Sequence, residues 1–419
     1  MIHTMELTQS VPYVDISQIL QYVARNMNSE KHPIDPATEL RRLTKRLCWN
    51  VGQSADKALG FQEDINRPVV LADFDTTTKS TRSAKRGSGI ERFKILRICS
   101  IDYLDEYRTT GILYCSFFAL LRLNPRTLLI PSDENTIRLY EATEENNAAL
   151  EQKFFDEMNA MFEGSPHLQY LCDFRRWNCH RVDYTSNMRF EDHDSFRIFK
   201  ILMHRISKFV RTKRVRIKEK KLYEQSAAER NKSYKSLFYD KHEQYTNMSK
   251  NIRESDKSRA LGESQNVLRL EQQCRPGKIS SLKETYRFPD RKAWRFLRED
   301  IARELLYNRY DKMVGDGDFY QRKKAYAIIR KNIKKKFMQD RLIQFLQLIA
   351  SKRHIDIARE VFTSPSFDGD KFPLAHGKAA TFRAWVKKLR ELGINPVLIP
   401  EKQPIRFLKN PKSLITFEN

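Results

Sequence analysis

The pattern of apolar and polar positions changes along the chain from strand-like to helical. Residues 177–185 alternate as a strand does, and two further strands are predicted over residues 235–241 and 266–275. Residues 111–123 are apolar and aromatic and end at an Asn-Pro pair, which predicts a buried strand stopped by proline. A helix is predicted over residues 147–162.

Beyond about residue 289 the spacing of apolar residues is helical. Long helices are predicted over residues 290–309 and 321–351, and a shorter one over 381–392 that ends with Gly393 as its C-cap. Earlier in the chain, Asp194 is positioned to cap a further helix.

Strands that precede helices predict an α+β fold followed by a mostly helical domain. The expected boundaries divide the 419 residues into a mixed region at 1–110, a sheet domain at 111–285 and a helical domain at 286–419. The mixed region either belongs to the sheet domain or stands apart from it. It contains a predicted helix at 36–47 and a polar loop at 76–89.

The strongly basic composition indicates what kind of molecule the protein binds. Lysine and arginine total 77 against 53 aspartates and glutamates, a net charge of +24 at pH 7, and nucleic acid is the usual polyanion for so basic a protein. The alternative interpretation is that the protein is basic but binds no polyanion. The six cysteines form no Cys-x-x-Cys pair, which favours a reduced, cytoplasmic setting. No apolar run reaches ~18 residues, so a membrane span is not expected.

Basic residues concentrate in two segments that are expected to contact DNA, with an exposed solvated surface as the other interpretation. The run 208–221 contains Lys213, Arg214 and Arg216, and it contrasts with the acidic segment 131–165, which carries nine acidic and two basic residues. The helix around 323–336 contains Lys334 and Lys335, and its apolar residues are expected to pack against the rest of the fold. Those apolar residues are Tyr326, Ile329, Ile333 and Phe337.

The three predicted strands place chemically useful pairs on single faces, because alternate strand residues point the same way. The pairs are Arg181 with Asp183, Tyr239 with Lys241, and Arg269 with Glu271. Side by side, such strands suit phosphoryl transfer: carboxylates bind a divalent cation, a tyrosine attacks phosphorus and a lysine offsets charge. Ordinary cross-strand ion pairs and a packed aromatic explain the same spacings.

Five segments, in order and spacing, resemble the gene II and gene X replication initiators of filamentous phages and related rolling-circle plasmid initiators. The resemblance covers roughly residues 110–400. The segments are LNPRTLL (123–129), CHRVDYT (179–185), SLFYDKHEQ (236–244), VLRLEQQCR (267–275) and TFRAWVKKLRELGI (381–394).

This resemblance implies a nickase-like domain with an antiparallel sheet, followed by a helical domain that contacts DNA. Tyr239 would nick one strand at the origin, leaving a 5′-phosphotyrosine and a free 3′-hydroxyl primer, and Lys241 would assist it. Asp183 and Glu271 would bind Mg²⁺ or Mn²⁺. The neighbouring Arg181 and Arg269 are expected to contact DNA. The partners would be single-stranded and duplex origin DNA in the cytoplasm of a bacterial host.

The chain departs from the wider nickase superfamily in one respect, because it contains no His-hydrophobic-His motif. A third metal ligand is therefore unassigned, with Glu243 a better candidate than His180 or His242. Tyr234 and Tyr245 flank Tyr239. One interpretation is that one of them is a second nucleophile, and the other is that they lie near Tyr239 by coincidence in a tyrosine-rich chain.

No phosphate-binding loop of the Gly-x-x-x-x-Gly-Lys-Ser/Thr type is present, so unwinding would require a host helicase and extension a host polymerase. Two other functions remain open. One is a noncatalytic DNA-binding regulator of phage or plasmid replication, as the shorter gene X products suggest. The other is a basic RNA-binding or structural protein, although the aromatic motifs of RNA-recognition sheets are missing from the sequence.

Overall fold

The computed structural model describes most of the chain from residue 115 onward and parts of the segment before it. The described residues are 1–12, 15, 18–19, 69–75, 89–99, 115–130, 137–162, 165–206, 227–230, 233–248, 254–364 and 377–417. The predicted helix at 36–47, nearly all of the loop at 76–89, and the basic run 208–221 lie outside these residues.

The described part is a mixture of helices and antiparallel sheet, which confirms an α+β fold in its coarse sense. The strands are β1 (Ile2–Val11), β2 (Val69–Asp75), β3 (Ile90–Cys99), β4 (Cys115–Leu123), β5 (Asn178–Arg189), β6 (Ala227–Arg230), β7 (Tyr234–Asp240), β8 (Val267–Cys274), β9 (Phe319–Tyr320) and β10 (Phe407–Leu408). The helices are α1 (Pro125–Leu129), α2 (Glu144–Phe162), α3 (His193–Met203), α4 (Lys241–Met248), α5 (Glu254–Glu263), α6 (Pro276–Thr285), α7 (Glu299–Met313), α8 (Arg322–Asn332), α9 (Lys336–Lys352), α10 (Ile355–Thr363) and α11 (Ala379–Glu391).

The chain divides into two compact units, each assembled from separate segments. The first unit comprises Met1–Glu134, Arg138–Asp183 and Cys274–Glu299, and the second comprises Asn135–Ile137, Tyr184–Gln273 and Asp300–Asn419. Their boundaries differ from the three consecutive domains predicted. Sheet pairing joins residues far apart in sequence, whereas a boundary drawn from composition follows the chain.

The first unit contains strands in the order β2-β3-β4-β1, followed by the start of β5. The pairs β2–β3, β3–β4 and β1–β4 are all antiparallel. The Asn-Pro pair after β4 also begins a helix, because the Asn124 side chain accepts hydrogen bonds from the backbone N–H groups of Arg126 and Thr127 at the start of α1. Helix α2 buries Phe154 edge-on against Phe174 and Trp177.

The second unit contains the end of β5 followed by β8, β7 and β6, with β6 and β7 antiparallel. Strand β5 extends to Arg189, beyond the predicted end at 185. The helix that follows is capped by Asp192, not by Asp194 as predicted, since the Asp192 carboxylate accepts the backbone N–H of Ser195 at 2.7 Å.

The C-terminal segment is helical as predicted, with one important difference. The helix expected over 321–351 is two helices, α8 and α9, since Ile333 and Lys335 have extended backbone angles. Gln339 fixes this break by donating its side-chain amide to the carbonyl oxygens of Ile333 at 2.7 Å and Arg330 at 3.2 Å. Gly393 has a φ of 73° and ends α11 as expected.

Helices α9, α10 and α11 pack around a cluster of aromatic rings. The rings belong to Phe345, Phe362, Phe382 and Trp385. The predicted helix at 290–309 instead begins as a short 3₁₀ turn at Ala293–Phe296 and becomes α7 only from Glu299. None of the helices in the described residues is long and apolar enough to cross a membrane.

Two glycines provide a test of this fold. Gly89 has a φ of 75°, and a Cβ there would overlap the backbone of Leu128, so Gly89→Ala is expected to destabilise the protein by at least ~2 kcal/mol. Gly262 lies in α5 with no atom within 4 Å of an added Cβ, so Gly262→Ala is expected to stabilise it by ~0.5–1 kcal/mol. Urea denaturation measures both. Equal shifts for the two variants would contradict this account.

Candidate active site

Tyr239 and Glu271 are brought together on one face of the second unit's sheet. Residues of β7 alternate between buried and half-buried, and Tyr239 lies on the half-buried face. Its phenol Oη donates a hydrogen bond to Oε2 of Glu271 on the neighbouring strand β8 at 2.9 Å. The period-2 reading of the sequence therefore selected two residues that are in direct contact.

The second oxygen of Glu271 and the neighbouring arginine are also engaged. Oε1 of Glu271 accepts the side-chain amide of Gln273 at 2.7 Å. Arg269, on the same face of β8, is only 1% exposed and donates to the side chain of Asn187 at 2.9 Å and to the carbonyl oxygen of Ile137 at 2.7 Å. This burial contradicts the expectation that Arg269 contacts DNA, because its donors bond to the protein and are shielded from phosphates.

The surroundings of Tyr239 keep its phenol protonated. Burial raises its pKa well above the ordinary value, and the negative charge of Glu271 raises it further, while Arg269 acts in the opposite direction. At neutral pH the phenol is therefore a hydrogen-bond donor and not a phenolate. Any reaction at this oxygen requires an acceptor for its proton, and Glu271 is the group to which the proton already points.

Lys241 does not lie on the strand with Tyr239, as the sequence predicted, because β7 ends at Asp240 and Lys241 begins α4. Asp240 causes the change: one carboxylate oxygen accepts the backbone N–H of Glu243, and the other pairs with Nζ of Lys200 at 2.6 Å. A carboxylate that caps a helix in this way ends the strand and starts the helical turn.

The new position still leaves Lys241 next to Tyr239. Its Nζ lies 5.9 Å from the centre of the Tyr239 ring and 4.5 Å from that of Tyr245, and it donates to the side chain of Gln244 at 2.7 Å. Lys241 is 4% exposed, and burial lowers its pKa well below the ordinary value, aided by the positive charge of Arg269.

Asp183 belongs to the first unit, where it forms an ion pair within its own strand. Arg181 donates through Nε and Nη2 to the two carboxylate oxygens of Asp183 at 2.8 and 2.6 Å, and Nη1 of Arg181 lies 3.2 Å from Glu6. The two residues share a face as predicted. Their bidentate contact matches the interpretation of the Arg-x-Asp spacing as an ion pair.

The predicted Mg²⁺ or Mn²⁺ ligands do not fit a metal ion in this arrangement. Both oxygens of Asp183 are bonded to Arg181, and both oxygens of Glu271 accept protein hydrogen bonds. A divalent cation at Asp183 would lie beside the positive guanidinium of Arg181. Within the described part of the chain, no group of three His, Cys, Asp or Glu residues is arranged to hold a metal.

The structure also describes the surroundings of the alternative candidates. His242 contacts the carbonyl oxygen of Leu261 through Nδ1 at 3.1 Å, and burial lowers the pKa of His180. Tyr245 is buried in an apolar cluster. Tyr234 is five positions before Tyr239 and therefore lies on the opposite face of β7, where it stacks against Arg309, whose Cζ is 4.4 Å from the ring centre. Glu243 contributes its backbone N–H to the cap of α4.

The basic candidates are divided between described and undescribed parts of the chain. Lys213, Arg214 and Arg216 lie outside the described residues, whereas Lys334 and Lys335 are exposed between α8 and α9. Phe337, expected to pack, is instead 67% exposed.

Sequence reasoning missed Gln273 and Gln244. Gln273 could have been found, because it is two residues from Glu271 and so shares its face. Gln244 reaches Lys241 across a helical turn that the predicted strand did not include.

No protein-family model, curated protein or solved structure matches the chain. A functional assignment therefore depends on the order of the sequence motifs and on the chemistry around Tyr239.

Burial of Lys241 predicts a pH-dependent gain in stability for Lys241→Met. The unfolded chain keeps a lysine pKa near 10.5, whereas burial lowers the folded value, so the unfolded state binds more protons between the two values and wild-type stability rises with pH there. Lys241→Met should stabilise the protein by on the order of 1 kcal/mol at pH values below the folded pKa. The gain should shrink as the pH approaches 10.5.

Lys200→Met is the matched control, since this lysine neutralises the buried carboxylate of Asp240. Its loss is expected to destabilise the protein by ~3 kcal/mol. Urea denaturation across a pH series measures both variants. A Lys241→Met variant less stable than wild type at acidic pH would refute the burial argument.

Proposed function

We propose that the chain is a rolling-circle replication initiator that nicks one strand of origin DNA through Tyr239. The hydrogen bond between Tyr239 and Glu271 carries this proposal, because it joins a nucleophile to an acceptor for its proton. The order of the motifs around these residues supports the choice of DNA as substrate, and the net charge of +24 supports a polyanionic partner.

The proposed reaction uses residues of the second unit. As the Tyr239 oxygen bonds to phosphorus, its proton passes to Oε2 of Glu271, and the bond from phosphorus to the 3′ oxygen breaks. The 3′ oxygen takes a proton from water and leaves as the primer hydroxyl, while the 5′ phosphate stays on Tyr239. Lys241, whose Nζ lies 5.9 Å from the centre of the Tyr239 ring, would offset negative charge that develops on the phosphate.

The resemblance also implies Mg²⁺ or Mn²⁺, yet the oxygens of Asp183 and Glu271 are engaged by protein donors. No step is therefore assigned to a metal. In the proposed reaction Glu271 is the proton acceptor, and Asp183 is a structural partner of Arg181.

A noncatalytic DNA-binding regulator is the second candidate, and one observation favours it. The raised pKa of Tyr239 and the two hydrogen bonds that Glu271 accepts describe a site in the second unit whose polar groups bond to one another. A protein that binds DNA without cutting it needs no activated nucleophile, and a protonated, hydrogen-bonded tyrosine is compatible with that function.

Covalent attachment to DNA separates the two candidates. The purified chain, incubated with Mn²⁺ and single-stranded DNA of the replicon that encodes it, is expected to form a protein–DNA adduct on a denaturing gel. Tyr239→Phe should abolish the adduct and leave DNA affinity within about twofold, because only the phenol oxygen is lost. Tyr234→Phe is the matched control and should form the adduct normally.

Either of two results would favour the noncatalytic regulator or another nucleophile. DNA binding without any adduct would support the regulator. An adduct that persists in Tyr239→Phe would move the reaction to another residue, with Tyr234 and Tyr245 the first to examine.

The role of Glu271 has its own test. Glu271→Gln keeps the shape of the side chain but removes the proton acceptor, so adduct formation is expected to slow by about 100-fold or more. Gln273→Ala, which removes only the bond to the other carboxylate oxygen, should have a far smaller effect. Single-turnover rates measure both, and equal losses would indicate that Glu271 acts only by positioning.

A further inference from the structure

The junction between α8 and α9 exposes an aromatic ring that the sequence pattern assigned to the core. Phe337, in the first turn of α9, is 67% exposed, whereas Phe345 on the same helix is fully buried. The guanidinium carbon of Arg341 lies 4.9 Å from the centre of the Phe337 ring. A single exposed apolar side chain is common on protein surfaces, so its significance depends on what surrounds it.

The surroundings of Phe337 are strongly basic. Residues 322–341 contain nine lysines and arginines and one acidic residue, Asp340. That carboxylate pairs with Lys336 at 3.1 Å. The exposed amines of Lys331, Lys334 and Lys335 have no ion-pair partner among the described residues. Their charge is thus available to an anionic partner.

The backbone at this junction is held in place by Gln339, whose amide bonds to the carbonyl oxygens of Ile333 and Arg330. The ring and the lysines are therefore presented from a defined turn between two helices. A surface formed in advance loses less conformational entropy when a partner binds.

We propose that Phe337, together with Lys334 and Lys335, forms a binding surface for single-stranded DNA, on which an unpaired base stacks against the ring while the lysines contact the adjoining phosphates. Aromatic rings beside basic residues bind single strands because every unpaired base offers a π face, whereas a duplex hides these faces within its stack. Arg341 adds a planar cation against the same ring. The choice of DNA over RNA rests on the proposed function. The preference for a single strand rests instead on the exposed ring of Phe337 and the lysines beside it.

The test measures binding by fluorescence anisotropy in the full chain carrying Tyr239→Phe, so that no strand is cut. The probes are an oligothymidine of about 15 nucleotides, the uridine oligomer of the same length, and a blunt duplex. Phe337→Leu is expected to weaken oligothymidine binding about tenfold and to leave duplex binding unchanged, while Phe337→Trp keeps wild-type affinity. Phe155→Leu is the matched control, since Phe155 is 41% exposed on the acidic helix α2.

Salt dependence separates the two parts of the surface. Replacing Lys334 and Lys335 together by glutamine should reduce the slope of log affinity against log salt by about 1.4, since each lost phosphate contact on a single strand accounts for ~0.7. Phe337→Leu should leave this slope unchanged, because stacking releases no counterions.

Unchanged oligothymidine affinity in Phe337→Leu, or an equal loss in Phe155→Leu, would overturn the proposal. Equal weakening of duplex binding would overturn the single-stranded specificity, and tighter binding of the uridine oligomer would assign the surface to RNA. These outcomes are independent of nicking. A chain that forms no covalent adduct but shows the Phe337 effect would retain this surface and lose only the proposed reaction.

Discussion

The buried guanidinium of Arg269 is the interaction on which the candidate site depends. It lies on β8 at 1% exposure and links the side chain of Asn187 to the carbonyl oxygen of Ile137. A buried cation is costly unless it is fully hydrogen-bonded and neutralised, and the nearby carboxylate of Glu271 supplies negative charge in the same layer. Burial lowers the pKa of Lys241 and raises that of Tyr239, and the charge of Arg269 adds to the first shift and opposes the second.

The two faces of the β7–β8 pair carry different residues and have different contacts. One face carries Tyr239 and Glu271, and the other packs on α7. On the packing face, Ser236 donates to Gln272 at 2.6 Å and accepts from Arg309 at 2.7 Å. The ring of Phe238 meets Tyr310 edge-on. Because alternate residues face opposite ways, the helix can anchor the strands without occupying the polar face where the reaction is proposed.

The two predicted metal ligands differ in what their environments allow. Asp183 is neutralised by a bidentate arginine, which holds the carboxylate in one orientation and compensates its charge. Glu271 accepts hydrogen bonds from two neutral groups, the phenol of Tyr239 and the amide of Gln273. A carboxylate that accepts a phenol proton is suited to proton transfer, whereas one paired with arginine is suited to holding a strand in place.

The sequence alone determined which residues share a strand face. Period-2 alternation selected Tyr239 and Glu271, which are hydrogen-bonded, and placed Arg181 beside Asp183. It also predicted the four strands β4, β5, β7 and β8 and the C-cap at Gly393, since these depend on local spacing and backbone preference.

Only the tertiary structure decided where elements end and which groups neutralise one another. Lys241 entered a helix because Asp240 caps it and pairs with Lys200, forty residues away in sequence. The long C-terminal helix divided where Gln339 bonds to carbonyls of the preceding helix, and Phe337 was left exposed at that break. Arg269 became buried through Ile137, 132 residues earlier in the chain. Such contacts join groups distant in sequence, and local periodicity carries no information about them.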